Sequence, residues 1–314
     1  GYEKYLARKL LDYPASLKSL RALGRGGEKL LGSRLPEDSG LRLRLALFDE
    51  AGLTVSAAHE KSMEAEKAGR PLTWFPGCAS RYLFPATHSA CRSLLASASC
   101  TLDAPHSLRC CGLADWAAGD LEGAVGKGRR NIEILEDTEG PVLVSCASCF
   151  AHLKKYPKLF GEDSRWRLRA EQLAGRLVEL TDFLGNHLQP HGIAASCGEQ
   201  KLRLFYHDPC HMRYGAPSVD RARELLLKSG KVEILELEDG PRCCGQGGLF
   251  HVAHPEISAR IRDQLVADVL KLQPDVVTST CSGCLMQWQQ GLVAAGSEVK
   301  VLHLAQVLET LGGS

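Results

Sequence analysis

The chain has 314 residues, a formal net charge of +1 and 44% hydrophobic residues. This length predicts two domains of ordinary size, and the near-neutral charge leaves no broad basic surface for nucleic acid. No apolar run approaches the ~18 residues that a membrane span needs, and the first residues lack the order of a signal peptide. The chain is therefore predicted to be cytoplasmic, either free or held at the cytoplasmic face of the membrane through a partner.

Residues 1–70 are predicted to form a helical arm or linker. Leucines recur there at helical spacing, and three glycines are expected to break the helices: Leu6, Leu10, Leu17, Leu20 and Leu23, then Gly24, Gly26 and Gly27. The arm either covers the first domain or docks a partner subunit. Because the chain begins with Gly1 rather than Met, the pattern leaves room for a segment upstream.

The rest of the chain alternates short β-rich runs with helical patterns, which is typical of α/β units with a largely parallel sheet. A first domain is predicted over 71–190, with strands at 72–75, 99–103 and 141–144 and helices at 82–97, 119–136 and 171–187. A second domain is predicted over 191–314, with strands at 202–206, 232–237, 276–277 and 299–302 and helices at 217–229, 257–269 and 284–296. The fold class is thus α/β, with two tandem domains related by a pseudo-twofold axis.

Ten of the 13 cysteines belong to an internal repeat with an offset of about 133 residues. The two copies read C-x31-CCG-x33-C-x2-C and C-x32-CCG-x35-C-x2-C. Their cysteines are Cys78, Cys110, Cys111, Cys146 and Cys149 in the first copy and Cys210, Cys243, Cys244, Cys281 and Cys284 in the second. Because the chain is long, the count is odd and no export signal is visible, metal binding is favoured over disulfides.

Each repeated cysteine follows a predicted strand, so three loops per half are expected to meet at the carboxyl edge of a sheet. Gly112 and Gly245 let the chain turn tightly after each cysteine doublet. Five thiolates per half are one more than a tetrahedral zinc ion or a cubane needs, and adjacent cysteines suit two different irons of one cluster. Iron-sulfur clusters are the prediction, with zinc and disulfide or free-thiol chemistry as alternatives.

Residues 72–310 resemble the CCG, or cysteine-rich domain, family. The motifs that carry the resemblance are Phe75-Pro-Gly-Cys78, Leu108-Arg-Cys-Cys-Gly112, His207-Asp-Pro-Cys-His211, Pro241-Arg-Cys-Cys-Gly-Gln-Gly-Gly248 and Thr280-Cys-Ser-Gly-Cys284. The family includes the heterodisulfide reductase B subunit and iron-sulfur subunits of glycolate and lactate oxidation and of anaerobic glycerol-3-phosphate dehydrogenase. The resemblance implies one cluster per complete motif, in the best-understood members a noncubane [4Fe-4S] cluster bound by all five cysteines.

The glycolate and lactate oxidase subunits are the most similar in pattern, which implies an electron-transfer subunit. In that role a flavoprotein dehydrogenase subunit oxidises a 2-hydroxy acid, and a ferredoxin-like or quinone-linked acceptor takes the electrons. The alternative is a catalyst that cleaves a disulfide at paired noncubane clusters, as in heterodisulfide reductase. The larger relatives also carry an N-terminal ferredoxin-like region that this sequence lacks, so either it precedes Gly1 or a separate protein supplies conventional cubanes.

Several residues outside the repeat have two interpretations each. Cys91, Cys100 and Cys197 are expected to be structural. Around Cys210, the side chains of His207, Asp208 and His211 either assist the cluster through hydrogen bonds or proton relay, or cap the strand end. His251 and His254 line a substrate pocket or are exposed at a helix start, and the loop Gln246-Gly247-Gly248 is flexible enough to admit a disulfide or quinone-like substrate.

Overall fold

We describe a computed structural model of the chain. The structure describes Tyr5, Lys9 and residues 14–31, 69–98, 100–187, 201–214 and 220–312. Within these ranges, the chain forms two four-stranded parallel sheets flanked by helices, which confirms the α/β prediction.

The first sheet contains four parallel strands in the spatial order β2-β1-β3-β4. The strands are β1 Arg70–Phe75, β2 Cys100–Asp103, β3 Val142–Val144 and β4 Leu177–Glu179. All three residues of β3 are buried and apolar, as expected for a central strand covered by helices on both faces. Because β1 connects to β2 on one side and the chain then crosses to β3 on the other, the strand order reverses between β1 and β3.

The second sheet repeats this topology in the order β6-β5-β7-β8, again all parallel. Its strands are β5 Leu202–Tyr206, β6 Val232–Leu235, β7 Val276–Ser279 and β8 Lys300–His303. The sequence repeat is therefore also a structural repeat.

The helices fill the connections between these strands. Before β4 they are α1 Pro14–Leu31, α2 Cys78–Tyr82, α3 Pro85–Ser97, α4 Leu113–Ala117, α5 Leu121–Glu136, α6 Ala147–Lys154, α7 Tyr156–Leu159 and α8 Ser164–Arg176. After β4 they are α9 Leu180–His187, α10 Cys210–Arg213, α11 Arg221–Lys228, α12 Phe250–Ala253, α13 Pro255–Lys271, α14 Ser282–Ala294 and α15 Leu304–Gly312. Local sequence determines where several of these helices begin. Asp120 and Asp163 accept N-cap hydrogen bonds at the starts of α5 and α8, and Pro85 and Pro255 lie in the first turns of α3 and α13.

The two halves pack against each other through shared apolar clusters. One cluster joins Phe75 and Val144 of the first sheet to Phe205 and Val277 of the second. The other cluster joins Trp74 and Leu143 of the first sheet to Leu204 and Val276 of the second. The last helix, α15, also packs on α3 of the first half. Burial of apolar area across this contact fixes how the two sheets face each other.

Two helix predictions are wrong. The closing helix predicted over 171–187 is instead the end of α8, the short strand β4 and α9. The glycines of the arm do not break it either, because α1 runs from Pro14 to Leu31 through all three of them. Leu6 and Leu10 lie outside the described residues.

The arm reaches the first cysteine loop, since α1 packs against α2, the helix that begins at Cys78. Leu17 of α1 is 2% exposed. This contact supports the interpretation of α1 as a cover for the first half. Among the described residues, no helix combines the length and the apolar character that crossing a bilayer demands.

Candidate metal centre

The repeated cysteines lie at the carboxyl edges of the two sheets, in the loops after the first three strands of each. Cys78 begins α2 after β1, the first doublet follows β2, and Cys146 follows β3. Gly77 has a φ of +77°, and a Cβ there would lie 3.2 Å from Cys149 Sγ. A side chain at residue 77 would therefore press on the sulfur of the third loop, and glycine lets the loops approach.

Backbone N–H groups point at the doublet sulfurs in the same way in both halves. Gly112 and Leu113 donate to the sulfurs of Cys110 and Cys111. Gly245 donates to Cys243 Sγ at 3.3 Å, and the next N–H along the chain donates to Cys244. The turn that allows this requires a positive φ, which is +85° at Gly112 and +83° at Gly245. At Gly245 a Cβ would also lie 2.7 Å from the carbonyl oxygen of Ser258, so only glycine fits.

In the first half, two fully buried side chains hold the doublet backbone. The Asn131 amide donates to the Cys110 carbonyl at 3.1 Å, and its oxygen accepts from the Arg109 N–H at 3.0 Å. The Tyr156 hydroxyl donates to the Cys111 carbonyl at 2.8 Å. Buried hydrogen bonds of this kind fix the loop because leaving them unmade costs more than making them gains.

An arginine three residues after the first cysteine ties the first two loops together in each half. Arg81 donates to the carbonyls of Ala104 and Pro105 at 3.1 Å, and Arg213 donates to the Pro241 carbonyl at 2.6 Å. Neither arginine was predicted from the sequence to support the site. The repeat carries the signal, because C-A-S-R and C-H-M-R align with the same spacing.

The C-x2-C pairs of the two halves meet. Cys146 and Cys281 are the N-cap residues of α6 and α14, so each helix starts at a sulfur. The Ala147 N–H donates to the Thr280 carbonyl at 3.0 Å, which joins one loop to the other. Across the same contact, the Cys281 thiol and the Ser282 N–H both donate to Cys146 Sγ.

As a result, the sulfurs of the ten repeated cysteines lie side by side in one continuous line. In order along the line they are Cys78, Cys110, Cys111, Cys149, Cys146, Cys281, Cys284, Cys244, Cys243 and Cys210. The structure therefore brings together the five cysteines of each half and places the two groups side by side.

The acid-base properties of these thiols favour a bound cationic group. Hydrogen bonds from Cys111 and Cys78 hold the pKa of Cys110 well below its usual range, whereas hydrogen bonding to its neighbours and burial raise the pKa of Cys149. Burial disfavours several thiolates side by side unless a cation compensates their charge. A multivalent metal core supplies that compensation and takes thiolate ligands, so the residues fit such a group.

The second half adds a histidine to its cysteines. His207 is 2% exposed and its Nε2 has no hydrogen-bond partner. A ring nitrogen of His207 and the sulfurs of Cys244 and Cys284 lie within 4.8 Å of one another, a grouping that can hold a metal ion. An orphaned buried nitrogen facing two sulfurs is accounted for if it donates to, or binds, the group held there.

Other polar residues near the second site have defined partners. The carboxylate of Asp208 forms a bidentate ion pair with Arg223, at 2.8 and 2.6 Å, so it anchors the strand end to α11. Nδ1 of His211 lies 3.3 Å from Ser148 Oγ, and that oxygen lies 2.8 Å from Cys281 Sγ. His211 therefore approaches the sulfurs through a serine of the other half, a link that sequence reasoning did not identify.

The remaining predicted residues lie farther from the sulfurs or in supporting positions. His251 is half-buried, and its Nδ1 contacts the Gly248 carbonyl at 2.8 Å and the Gln246 side chain at 3.1 Å, while His254 is exposed at the start of α13. Cys91 is fully buried in α3 and Cys100 is half-buried in β2, in keeping with structural roles. Cys197 lies outside the described residues.

A duplicated α/β fold with five thiols at each carboxyl edge defines a class of cysteine-rich, metal-binding proteins. The chain belongs to the CCG cysteine-rich domain family, whose model matches residues 72–154 and 204–289. Each match begins within the first strand of its half and covers all five repeated cysteines of that half.

Three similar proteins come from bacteria. The chain is 30% identical to Lactate utilization protein A of Shouchella clausii, over 75% of this chain and 97% of the relative. It is 33% identical to Lactate utilization protein A of Bacillus licheniformis, over 69% of this chain and 90% of the relative. It is also 30% identical to the uncharacterized protein YkgE of Escherichia coli, over 68% of this chain and 89% of the relative.

Proposed function

We propose that each half of the chain binds one iron-sulfur cluster, a [4Fe-4S] cluster of the noncubane type. The ligands of the first are Cys78, Cys110, Cys111, Cys146 and Cys149, and those of the second are Cys210, Cys243, Cys244, Cys281 and Cys284. Zinc at one site is the weaker candidate, because each half gathers five thiols and tetrahedral zinc uses four.

The protein is then an electron-transfer subunit of a complex that oxidises a 2-hydroxy acid. Two relatives carry the name Lactate utilization protein A, which favours lactate as the acid. Iron-sulfur clusters supply one-electron transfer. The observation that carries the proposal is the contact of Cys146 with Cys281, because it sets the two sites next to each other along one line of thiols.

The chain's own residues shape the electrostatics of this line. Backbone N–H groups of Gly112 and Gly245 donate to doublet sulfurs and so favour the more negative, reduced state. Burial of Cys111 and Cys244 keeps water away from the inner sulfurs. The residues thereby set the conditions for electron transfer without contacting the acid itself.

The partners follow from this role. A flavoprotein dehydrogenase subunit oxidises the acid and delivers electrons to one end of the line, and a ferredoxin-like or quinone-linked acceptor removes them. The complex is expected in the cytoplasm, where thiols stay reduced and available for metal.

Disulfide cleavage at paired clusters is the second candidate. The contact of Cys146 with Cys281 makes it the weaker one. A disulfide held between the two sites needs space there. The described loops instead touch, through the Ala147 to Thr280 hydrogen bond and the adjoining sulfurs.

Anaerobic purification tests the proposal. We expect about eight iron and eight labile sulfide per chain for two [4Fe-4S] clusters, visible absorption that bleaches on reduction, and copurification with a flavoprotein in an extract that reduces the chain when lactate is added. A colourless protein with about one zinc per site would contradict the cluster assignment, and clusters that lactate leaves oxidised in the complete extract would contradict the electron-transfer role.

A further inference from the structure

A cavity of about 200 Å³ opens beside the cysteine sites, on the side of the first half. Its walls come from α4, α6 and the end of α7, and α10 of the second half closes one end. The lining side chains that matter here are Leu113, Trp116, His152, Lys155, Lys158 and His211.

One wall holds a buried polar atom without a partner. His152 is 5% exposed, and its Nε2 makes no hydrogen bond. The ring is fixed by an edge contact with Tyr156, whose centroid lies 5.5 Å away. Because this nitrogen is closed off from solvent, His152 forms part of the cavity wall and leaves ligand binding to the exposed groups around it.

The rim is cationic and the floor is apolar. Lys155 and Lys158 are exposed, and no carboxylate of the described residues lies within ion-pair distance of either amine. Leu113 lies on the wall, and the indole of Trp116 is 49% exposed beside it. Together they offer an aromatic surface next to two positive charges.

We propose that this cavity binds a small aromatic carboxylate. The carboxylate lies against the two lysines, and the ring lies on Trp116. The volume is below the range of about 300–1,000 Å³ usual for ligand pockets, which favours a ligand smaller than a flavin or a nucleotide.

The cavity borders the first group of cysteines directly. The Leu113 N–H donates to Cys111, and His152 follows Cys149 by one turn of α6. A ligand bound there is thus separated from the thiols by a single layer of residues. This binding goes beyond the proposed electron-transfer role and does not depend on it.

The test uses 4-fluorobenzoate and its neutral analogue 4-fluorobenzamide as probes, followed by ¹⁹F NMR with the anaerobically purified full chain. We expect the acid to bind with a Kd of ~1 mM or tighter and the amide to bind at least about fivefold more weakly. The double variant Lys155→Gln/Lys158→Gln should weaken binding of the acid at least about fivefold. The matched control Lys228→Gln/Lys300→Gln removes the same charge from exposed lysines elsewhere and should change nothing.

Two further variants test which side chains of the cavity contact the probes. Trp116→Ala is at a half-exposed position and should weaken the binding of both probes, whereas His152→Phe changes a ring nitrogen that the ligand does not reach and should leave the binding of both probes nearly unchanged. Equal binding of acid and amide, an equal loss in the control pair, or no binding at all would overturn the proposal. Iron is counted in the same sample, so a chain without iron would contradict the proposed function and still give a valid binding result.

Discussion

The two cysteine groups have the same five thiols but different surroundings. In the first half Cys110 is buried, while its counterpart Cys243 is exposed. The first half has Phe75 three residues before its first cysteine, whereas the second has His207 with an unpaired nitrogen near the sulfurs. The duplication thus repeats the ligands and varies the environment, so we expect two clusters with different potentials and different access to solvent.

The largest expected effect is the loss of one cluster when one of its cysteine ligands is replaced. Cys111→Ser should remove the first cluster and Cys244→Ser the second, each leaving about half of the iron, because a serine oxygen is a poor replacement for a thiolate ligand. Iron and labile sulfide per chain provide the measurement.

Cys100→Ser is the matched control, since that thiol is half-buried in β2 and lies off the line. Unchanged iron after Cys244→Ser would exclude Cys244 as a ligand.

The second prediction compares Glu179 with His303, which occupy equivalent ends of β4 and β8. Burial raises the pKa of Glu179 from 4.5 to about 7. Because the folded state holds this proton more tightly, the contribution of Glu179 to stability is fully present below pH 4.5 and is lost as the pH rises to about 7, by about 3 kcal/mol in total.

Glu179→Gln should remove that loss. The variant and the natural chain are expected to have similar unfolding free energies near pH 4.5, with the variant more stable at pH 8, in urea titrations. His303→Gln serves as the comparison at the equivalent strand end. A constant difference between Glu179→Gln and the natural chain across this pH range would show that the carboxyl does not titrate with the raised pKa.

The third prediction makes the second site resemble the first. His207→Phe copies Phe75 and removes a polar nitrogen next to Cys244 and Cys284. If this nitrogen donates to the sulfurs, the potential of the second cluster should fall by on the order of 20–60 mV, since one hydrogen bond is worth about 0.5–1.5 kcal/mol and 59 mV corresponds to 1.4 kcal/mol per electron.

A redox titration followed by EPR gives both potentials in one sample. The first cluster should keep its potential and total iron should not change. Loss of iron would instead identify His207 as a ligand, and no shift at either cluster would refute the hydrogen bond.

The smallest effect concerns the contact between the halves. Ser148 brings a hydroxyl 2.8 Å from Cys281 Sγ, and the equivalent residue in the other half is Gly283. Ser148→Ala should lower the potential of the second cluster by less than His207→Phe does, because the hydroxyl also contacts His211. Gly283→Ser places a Cβ 3.8 Å from Cys281 Sγ of the same half and 3.3 Å from the Gln246 side chain, so the added hydroxyl should raise the potential of the second cluster.

The same titration tests both variants. A shift in the potential of the first cluster alone, or equal shifts at both clusters, would contradict the contact of the Ser148 hydroxyl with the sulfur of Cys281.

Much of this arrangement could be predicted from the sequence. The repeat of ten cysteines, the strands before them and the turns at Gly112 and Gly245 are local signals, and the structure confirms those elements. Parallel strands gather their carboxyl ends at one edge, so the meeting of three loops per half followed from the order of elements.

The rest depended on tertiary contacts. The strand β4 has three residues between two helices, too few to interrupt a helical pattern, and its pairing with β3 decides its conformation. The glycines of α1 lower helix propensity by about 1 kcal/mol each, an amount that burial of residues such as Leu17 can offset. The contact of Cys146 with Cys281 joins residues 135 positions apart and has no local signal.

The central claim is that two iron-sulfur sites adjoin through Cys146 and Cys281. Low-temperature EPR of the fully reduced chain tests it most directly, with Cys111→Ser and Cys244→Ser as single-cluster references. We predict a spectrum broadened or split by magnetic interaction, which disappears in either variant. A spectrum equal to the sum of the two single-cluster spectra, or one without any iron signal, would contradict the account.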